Sequence, residues 1–342
     1  MAFASGVLEA LPLVANNGVM DDLPVNETVD IDAALFQQLE KRLGAVHARQ
    51  RLGIESESGH RVFGKGLNFF HPENWYSTHS LIKNIIRLSG MYRRGQRNAC
   101  NIQLKHNVIT LANLPRVFDG FTILHLSDLH VDMYPKAIDA LIEVIKTLNY
   151  DACVITGDYR ARTYGDIKGT LRGMKVIAEC LKSPVYGVLG NHDSIRMVPE
   201  LEAFGIRMLL NESITLSRDD ARLHIAGIDD AHYFRVDNIE KAAQVTPINE
   251  PSIMLSHTPE VYRQVAHAKY DVMFCGHTHG GQICLPGGTP VILDANCPRY
   301  MGAGAWDYQG MRGYTSVGSG TSIVNVRFNC LPEVTLHQLQ CD

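Results

Sequence analysis

From residue 122 onward, short apolar runs recur along the chain, and each stops at side chains able to hold a metal ion. Thr122-Ile123-Leu124-His125-Leu126 ends at Ser127-Asp128-Leu129-His130, and Ala152-Cys153-Val154-Ile155 ends at Thr156-Gly157-Asp158. Val185-Tyr186-Gly187-Val188-Leu189 ends at Gly190-Asn191-His192-Asp193, Ser252-Ile253-Met254-Leu255 at Ser256-His257, and Asp271-Val272-Met273-Phe274-Cys275 at Gly276-His277-Thr278-His279. Runs this short, bounded by polar residues, predict buried strands. Their C-terminal ends would deliver the ligand-type residues into one crevice. Gly157, Gly190 and Gly276 are expected to let the backbone turn sharply there.

Between the runs the period changes to that of helices. Pro135 to Leu148 starts with a proline suited to a first turn and sets Ala137, Leu141, Val144, Ile145 and Leu148 on one side. Thr170–Leu181, Met197–Phe204, Val236–Val245 and Glu260–Ala268 predict further helices. After Gln282 the helical period stops, and 290–293, 313–317, 322–328 and 333–339 read as strands between Gly and Pro. Helices alternating with apolar strands imply an α/β protein layered as helix on sheet. Ahead of this lies a different region. Residues 1–30 have no sustained period, Ile31–Leu52 reads as one amphipathic helix after an Asp30 cap, and Ser77 or Thr78 would cap another carrying Leu81, Ile82, Ile85, Leu88 and Tyr92 on one face. The expected domains are an N-terminal, mainly helical extension over 1–106 and a catalytic domain over 107–342.

Composition adds three things. With 342 residues, 45% hydrophobic and 20% charged, the chain suits a soluble globular protein with a large core. The net charge of −4 is unevenly spread: every charged residue from Met1 to Glu40 is acidic, while Asn74 to Phe118 carries Lys83, Arg87, Arg93, Arg94, Arg97, Lys105 and Arg116 and no acid. A basic amphipathic helix preceded by Phe69, Phe70, Trp75 and Tyr76 predicts peripheral membrane contact through residues 69–97, the alternative being that its apolar face packs on the core. The 8 cysteines form no CxxC pair, which favours reduced core residues in a cytoplasmic protein, and the basic helix would place that protein peripherally at the inner face of the membrane. Neither a secretory signal nor a spanning apolar segment is legible. No aromatic-studded basic groove is present, so no nucleic-acid partner is expected.

The strand ends together offer Asp128, His130, Asp158, Asn191, His257, His277 and His279. This exceeds what one four-coordinate zinc requires and suits two divalent ions sharing a carboxylate, with Asp158 as the shared one because imidazole cannot bridge as a carboxylate does. Two such ions about 3.5–4 Å apart would hold a bridging hydroxide and clamp a phosphoryl group for in-line attack. Oxygen and nitrogen donors without thiolate favour Mn²⁺, with iron or zinc as alternatives. His192 would donate a proton to the leaving oxygen, and Asp193 would orient it or cap the next turn. Tyr159, Arg160 and Arg196 would reach a second phosphate or carboxylate.

In order and spacing, Asp128-Leu129-His130, Gly157-Asp158, Gly190-Asn191-His192-Asp193, His257 and Gly276-His277-Thr278-His279 resemble the complete signature of the calcineurin-like metallophosphoesterases. The resemblance covers roughly residues 120–340. It implies a four-layer α/β/β/α sandwich, one metal held by Asp128, His130, Asp158 and His279, a second by Asp158, Asn191, His257 and His277, and a catalytic His192. Cys275 to Gln282 and Arg327 to Leu336 look like the bacterial membrane-associated phosphodiesterase branch, which includes a UDP-2,3-diacylglucosamine pyrophosphatase of lipid A synthesis. The implied substrates are phosphodiesters or pyrophosphates, lipid-linked or nucleotide-sugar. Two features depart from that branch: no N-terminal anchor is legible, and Val317 stands where an Arg is common. Rival expectations are a soluble phosphomonoesterase or nucleotide phosphodiesterase, and a non-catalytic scaffold on the same fold. An amidohydrolase is disfavoured because its H-x-H stands on the first strand, whereas His277 and His279 come late.

Overall fold

The computed structural model describes residues 25–57 and 76–342. The aromatic group Phe69, Phe70 and Trp75 lies outside the described residues, as do the side chains of Tyr76 and Leu81 and the segment 1–24.

Among the described residues four helices come first: α1 Val25–Leu43, α2 Ala45–Glu57, α3 Tyr76–Leu88 and α4 Tyr92–Ala99. The expected single helix over Ile31–Leu52 is therefore two. Gly44 breaks it at φ 90, a left-handed conformation that costs glycine little, while its N–H still bonds the Glu40 carbonyl at 2.9 Å. There follow β1 Gln103–Leu111, β2 Thr122–Leu126, α5 Pro135–Ile145, β3 Ala152–Ile155, α6 Lys168–Ala178, β4 Val185–Gly187, α7 Val198–Ala203 and β5 Ile206–Met208. The rest comprises β6 Glu212–Arg218, β7 Ala221–Gly227, α8 Ile239–Ala243, β8 Ser252–Leu255, α9 Tyr262–His267, β9 Val272–Cys275, β10 Gly304–Tyr308, β11 Met311–Thr315 and β12 Glu333–Cys341.

These strands form two 6-stranded sheets, ordered β1-β12-β2-β3-β4-β5 and β10-β11-β9-β8-β7-β6. Alternation along each strand assembles the layers. In β2, Ile123 points between the sheets, where it joins Val154, Val188, Ile225, Leu255, Val272 and Phe274. Its neighbours Leu124 and Leu126 point outward, into a cluster with Leu141, Ile145, Met174 and Ile177 of α5 and α6. In β9, Met273 and Cys275 likewise face outward, towards Val265 of α9 and Ala242 of α8. The result is helix, sheet, sheet, helix, as the resemblance implied. Leu35, Leu39 and Leu43 of α1 and Ala48 of α2 belong to the outer cluster of the first sheet, so these two helices extend that helical layer.

Two of the expected strands do not form. Pro290 and Phe328 make only isolated bridges, to Cys284 and Ile283. Proline supplies no ladder donor, and Val324, Val326 and Phe328 instead bury against Ile86 of α3, with Ile82 and Tyr92 packed alongside. This also divides the predicted face of α3. Ile82 and Ile86 pack inward, whereas Ile85 and Leu88, at 57% and 89% exposure, stand in solvent. Among the described residues, no helix is long and apolar enough to cross a membrane.

Candidate metal centre

All the ligand-type residues of the strand ends converge, buried, along one edge of the sandwich. The loops that carry them are bonded to one another: Asp128 N–H donates to the Gly157 carbonyl at 3.0 Å, His130 N–H to that of Asp158 at 3.0 Å, and Gly276 N–H to that of His257 at 2.8 Å. Asp128, His130, Asp158, His277 and His279 all adopt left-handed φ, between 41 and 71. Such backbone costs of order 1–3 kcal/mol per residue, which the loop contacts must offset. Gly157 takes φ 88, as expected. Gly190 and Gly276 do not. They are needed because a Cβ at either would overlap a ligand carboxylate, Asp158 or Asp128 respectively.

Among the described residues the strand ends form two groups of donors, each with its ligand atoms within 4.8 Å of one another: Asp128, His130 and His279; and Asp158, His257 and His277; a third, less buried group joins His277 to His232 and the exposed Asp294. Asp158 Oδ2 lies between the first two, 3.7 Å from His130 Nε2 and 3.4 Å from His257 Nε2. Asn191 Oδ1 is 2.9 Å from His257 Nε2, within the second group. Imidazole orientations are fixed from behind. His130 Nδ1 donates to the Arg160 carbonyl and His257 Nδ1 to the Thr156 carbonyl, both at 2.7 Å, which leaves each Nε2 lone pair directed into the site.

The electrostatics suit cations. Burial would lower His257, yet the Asp158 and Asp128 carboxylates override it and hold the group up at about 10, so a divalent ion would take the place of a proton on Nε2 and free the lone pair that points into the site. Burial would likewise raise Asp158, but the surrounding imidazoles pull it well below the usual carboxylate range. His277 and His279 are pushed down by burial and by neighbouring basic groups, and so present neutral imidazoles. Inward lone pairs, carboxylates that favour positive charge and an Asp between two donor groups fit a pair of divalent ions.

Around this centre the other predicted residues fall into different places. His192 stands at the edge: its N–H donates to Asp158 Oδ1 at 3.0 Å, its Nδ1 lies 3.2 Å from Thr163 Oγ1, and its Nε2 is 3.9 Å from Asp158 Oδ2. Asp193 does not orient it. Its carboxylate instead accepts from the N–H groups of Asp158, Tyr159 and Gly190 at 2.7–2.9 Å, tying two ligand loops together. Tyr159 does not reach the ligand side, because its ring is wholly buried in the outer cluster with the hydroxyl towards Met208 Sδ. Arg160 is buried with its guanidinium bonded to the Gly165 carbonyl, and Arg196 pairs with Glu55 at 2.8 Å.

Several contributors were not foreseen. Arg327, fully buried, donates to the carbonyls of Val317, Gly318 and Gly320 and lies 3.2 Å from His279 Nδ1. It braces the glycine turn from beneath, where sequence comparison suggested a missing Arg at Val317. His125 and His337 sit between the sheets, and a chain of polar groups passes through them: Asn107 Nδ2 to His337 Nδ1 at 3.0 Å, His337 Nε2 to His125 Nδ1 at 3.2 Å, and His125 Nε2 to Thr156 Oγ1 at 2.9 Å. Thr156 then donates to Ser127 Oγ at 2.7 Å and Ser127 to Asp128 Oδ2 at 2.6 Å. Burial pushes His125 down to about 3, so it is neutral at physiological pH. A polar residue at an inward position of a strand was the available signal.

The model of the calcineurin-like phosphoesterases matches residues 121–281, which span the first four ligand-bearing strand ends and the Gly276-His277-Thr278-His279 turn. The metallophosphoesterase YkoQ of Bacillus subtilis is 31% identical over 230 residues, covering 64% of this chain and 83% of that protein. The chain belongs to the calcineurin-like phosphoesterase family. It is thus a metal-dependent phosphoester hydrolase by membership. Other members are more distant: the phosphodiesterase YaeI of Escherichia coli is 28% identical over 236 residues, with 64% of this chain and 82% of YaeI covered. The UDP-2,3-diacylglucosamine pyrophosphatase LpxG of Chlamydia muridarum is 25% identical over 246 residues, with 54% and 73% covered.

Proposed function

We propose that the protein hydrolyses a phosphodiester or pyrophosphate bond with two metal ions, Mn²⁺ above iron or zinc, and a lipid-linked or nucleotide-sugar substrate. The observation that carries this reading is the pair of donor groups with Asp158 between them. Asp128, His130, Asp158 and His279 would hold one ion, and Asp158, Asn191, His257 and His277 the other. His277 Nδ1 lies 3.2 Å from His257 Nε2, on the ligand side. When bound, the ions supply an activated water and neutralise the phosphoryl oxygens. His192, partly pinned through its backbone and Thr163, would give its proton to the leaving oxygen. A diester or anhydride is favoured by the YaeI and LpxG relatives; a soluble monoester or nucleotide substrate is the second reading.

Chelation should abolish turnover and Mn²⁺ restore it. A panel of aryl diesters, monoesters, nucleotide-sugar pyrophosphates and their lipid-linked forms should give the highest kcat/KM with a diester or pyrophosphate. Full turnover by protein shown by elemental analysis to be metal-free would overturn the two-ion reading, and preference for monoesters would overturn the substrate class.

A further inference from the structure

Helix α2 lies outside the segment that matches the family, yet three of its polar residues, spaced one turn apart, reach the active-site edge. His47 Nε2 is 2.8 Å from Asp229 Oδ2, just past β7 in the second sheet. Arg51, fully buried, donates through Nη2 to the Asp193 carbonyl at 2.8 Å, and its Nε is 3.6 Å from both Asp229 and Glu55. The Glu55 carboxylate accepts from Ser194 Oγ at 2.7 Å, from Ile195 N–H at 2.7 Å and from Arg196 Nη1 at 2.8 Å. Both side chains therefore grip the residues that directly follow Asn191 and His192. That loop has no regular structure between Gly187 and the turn at Ile195–Met197. From inside, the Asp193 carboxylate holds it; from outside, α2 supplies side chains that bond Asp193 through Arg196.

We infer that α2 is a clamp on the catalytic loop, with Arg51 and Glu55 as positioning residues that set where the His192 imidazole stands. Docking alone would not call for these groups. Burying a guanidinium and a carboxylate carries a desolvation cost that apolar side chains of similar volume avoid. What the charged pair adds is direction: several fixed donors and acceptors hold the loop backbone, and an imidazole displaced by about 1 Å forfeits up to ~100-fold in rate. This inference rests on the proposal that His192 is the proton donor.

The test uses the full-length, Mn²⁺-loaded protein and aryl phosphodiesters with an activated and a poor leaving group. Glu55→Gln should lower kcat up to ~100-fold on the poor leaving group and markedly less on the activated one, with KM and metal content retained. The same substitution should have no further effect in a His192→Ala background. If it costs the same factor there as in the parent, the clamp does not act through His192 and the inference falls. If His192→Ala shows no dependence on the leaving group while the pair stays non-additive, the clamp stands and the proton-donor role falls instead. Should Glu55→Gln fail to fold, Ser194→Ala removes one bond to Glu55 and should show the same non-additivity at smaller size. Additive behaviour in that pair overturns the inference equally.

Discussion

At the level of single residues, Asp158 and His192 are neighbours for which we propose separable duties. Replacing Asp158 by Asn should remove charge from both donor groups, so metal content and activity fall together. Replacing His192 by Ala should leave metal content nearly intact while kcat falls ~10²–10⁴-fold, least on activated aryl leaving groups. Elemental analysis beside steady-state kinetics checks the contrast; loss of metal from the His192 variant would make that residue a ligand. The convergence of the ligand-type residues was legible because metal chemistry restricts its ligands to few residue types, and strand ends place them at readable intervals. Tyr159 and Arg160 were misread for a related reason. Adjacent residues at a turn point opposite ways, and nothing in a one-dimensional pattern says which one faces the substrate. The carboxylate of Asp193 bonds backbone N–H groups, a role open to many residues and therefore without a spacing signature.

Among the elements, α2 shows where periodicity fails. Its inward side mixes Ala48 and Leu52 with the polar His47, Arg51 and Glu55, so the apolar stripe that normally announces a packed helix is interrupted. The strands whose ends carry ligand-type residues were read, whereas β1, β5, β6, β7 and β10 were not, and 322–328 was misread because an apolar alternation there packs against a helix instead of pairing. The docking of α2 also predicts a pH response. Burial would raise Asp229, but the Arg51 guanidinium and His47 override it and hold the carboxyl below its usual value. A carboxyl depressed in the folded state stabilises fully above its unfolded value, about 3.9, and that share is lost as pH falls through the folded value. Urea unfolding from pH 7 to pH 3 should show stability falling in acid for the parent and a flatter profile for Asp229→Asn, starting from a lower plateau. Parallel profiles would remove Asp229 from the account.

Over the whole molecule, alternating periods implied helices layered on sheet and the family resemblance implied the four layers, whereas the position of α3 and α4 on them was not legible. Those helices present Ile85, Leu88 and Met91 to solvent beside exposed Arg87, Arg93 and Arg94. Each such base near an anionic surface is worth ~1 kcal/mol, so reversible binding to anionic vesicles that weakens in salt is expected. Ile85→Ser with Leu88→Ser should abolish co-sedimentation and leave hydrolysis of a soluble diester unchanged, since neither side chain packs inward; a parent protein indifferent to every vesicle would leave the soluble substrate as the better reading. Deeper inside, the chain from Asn107 to Asp128 has a polarity of its own. Ser127, Thr156 and Asn107 fix the sense of the donors, so every proton in it leans towards the carboxylate and each histidine has one tautomer open to it. The interior thus carries an oriented dipole without net charge, shielded from dissolved ions by the sheets on either side. Salt that strips the protein from a vesicle should leave this internal field untouched, so binding and the chemical step would part company as ionic strength rises.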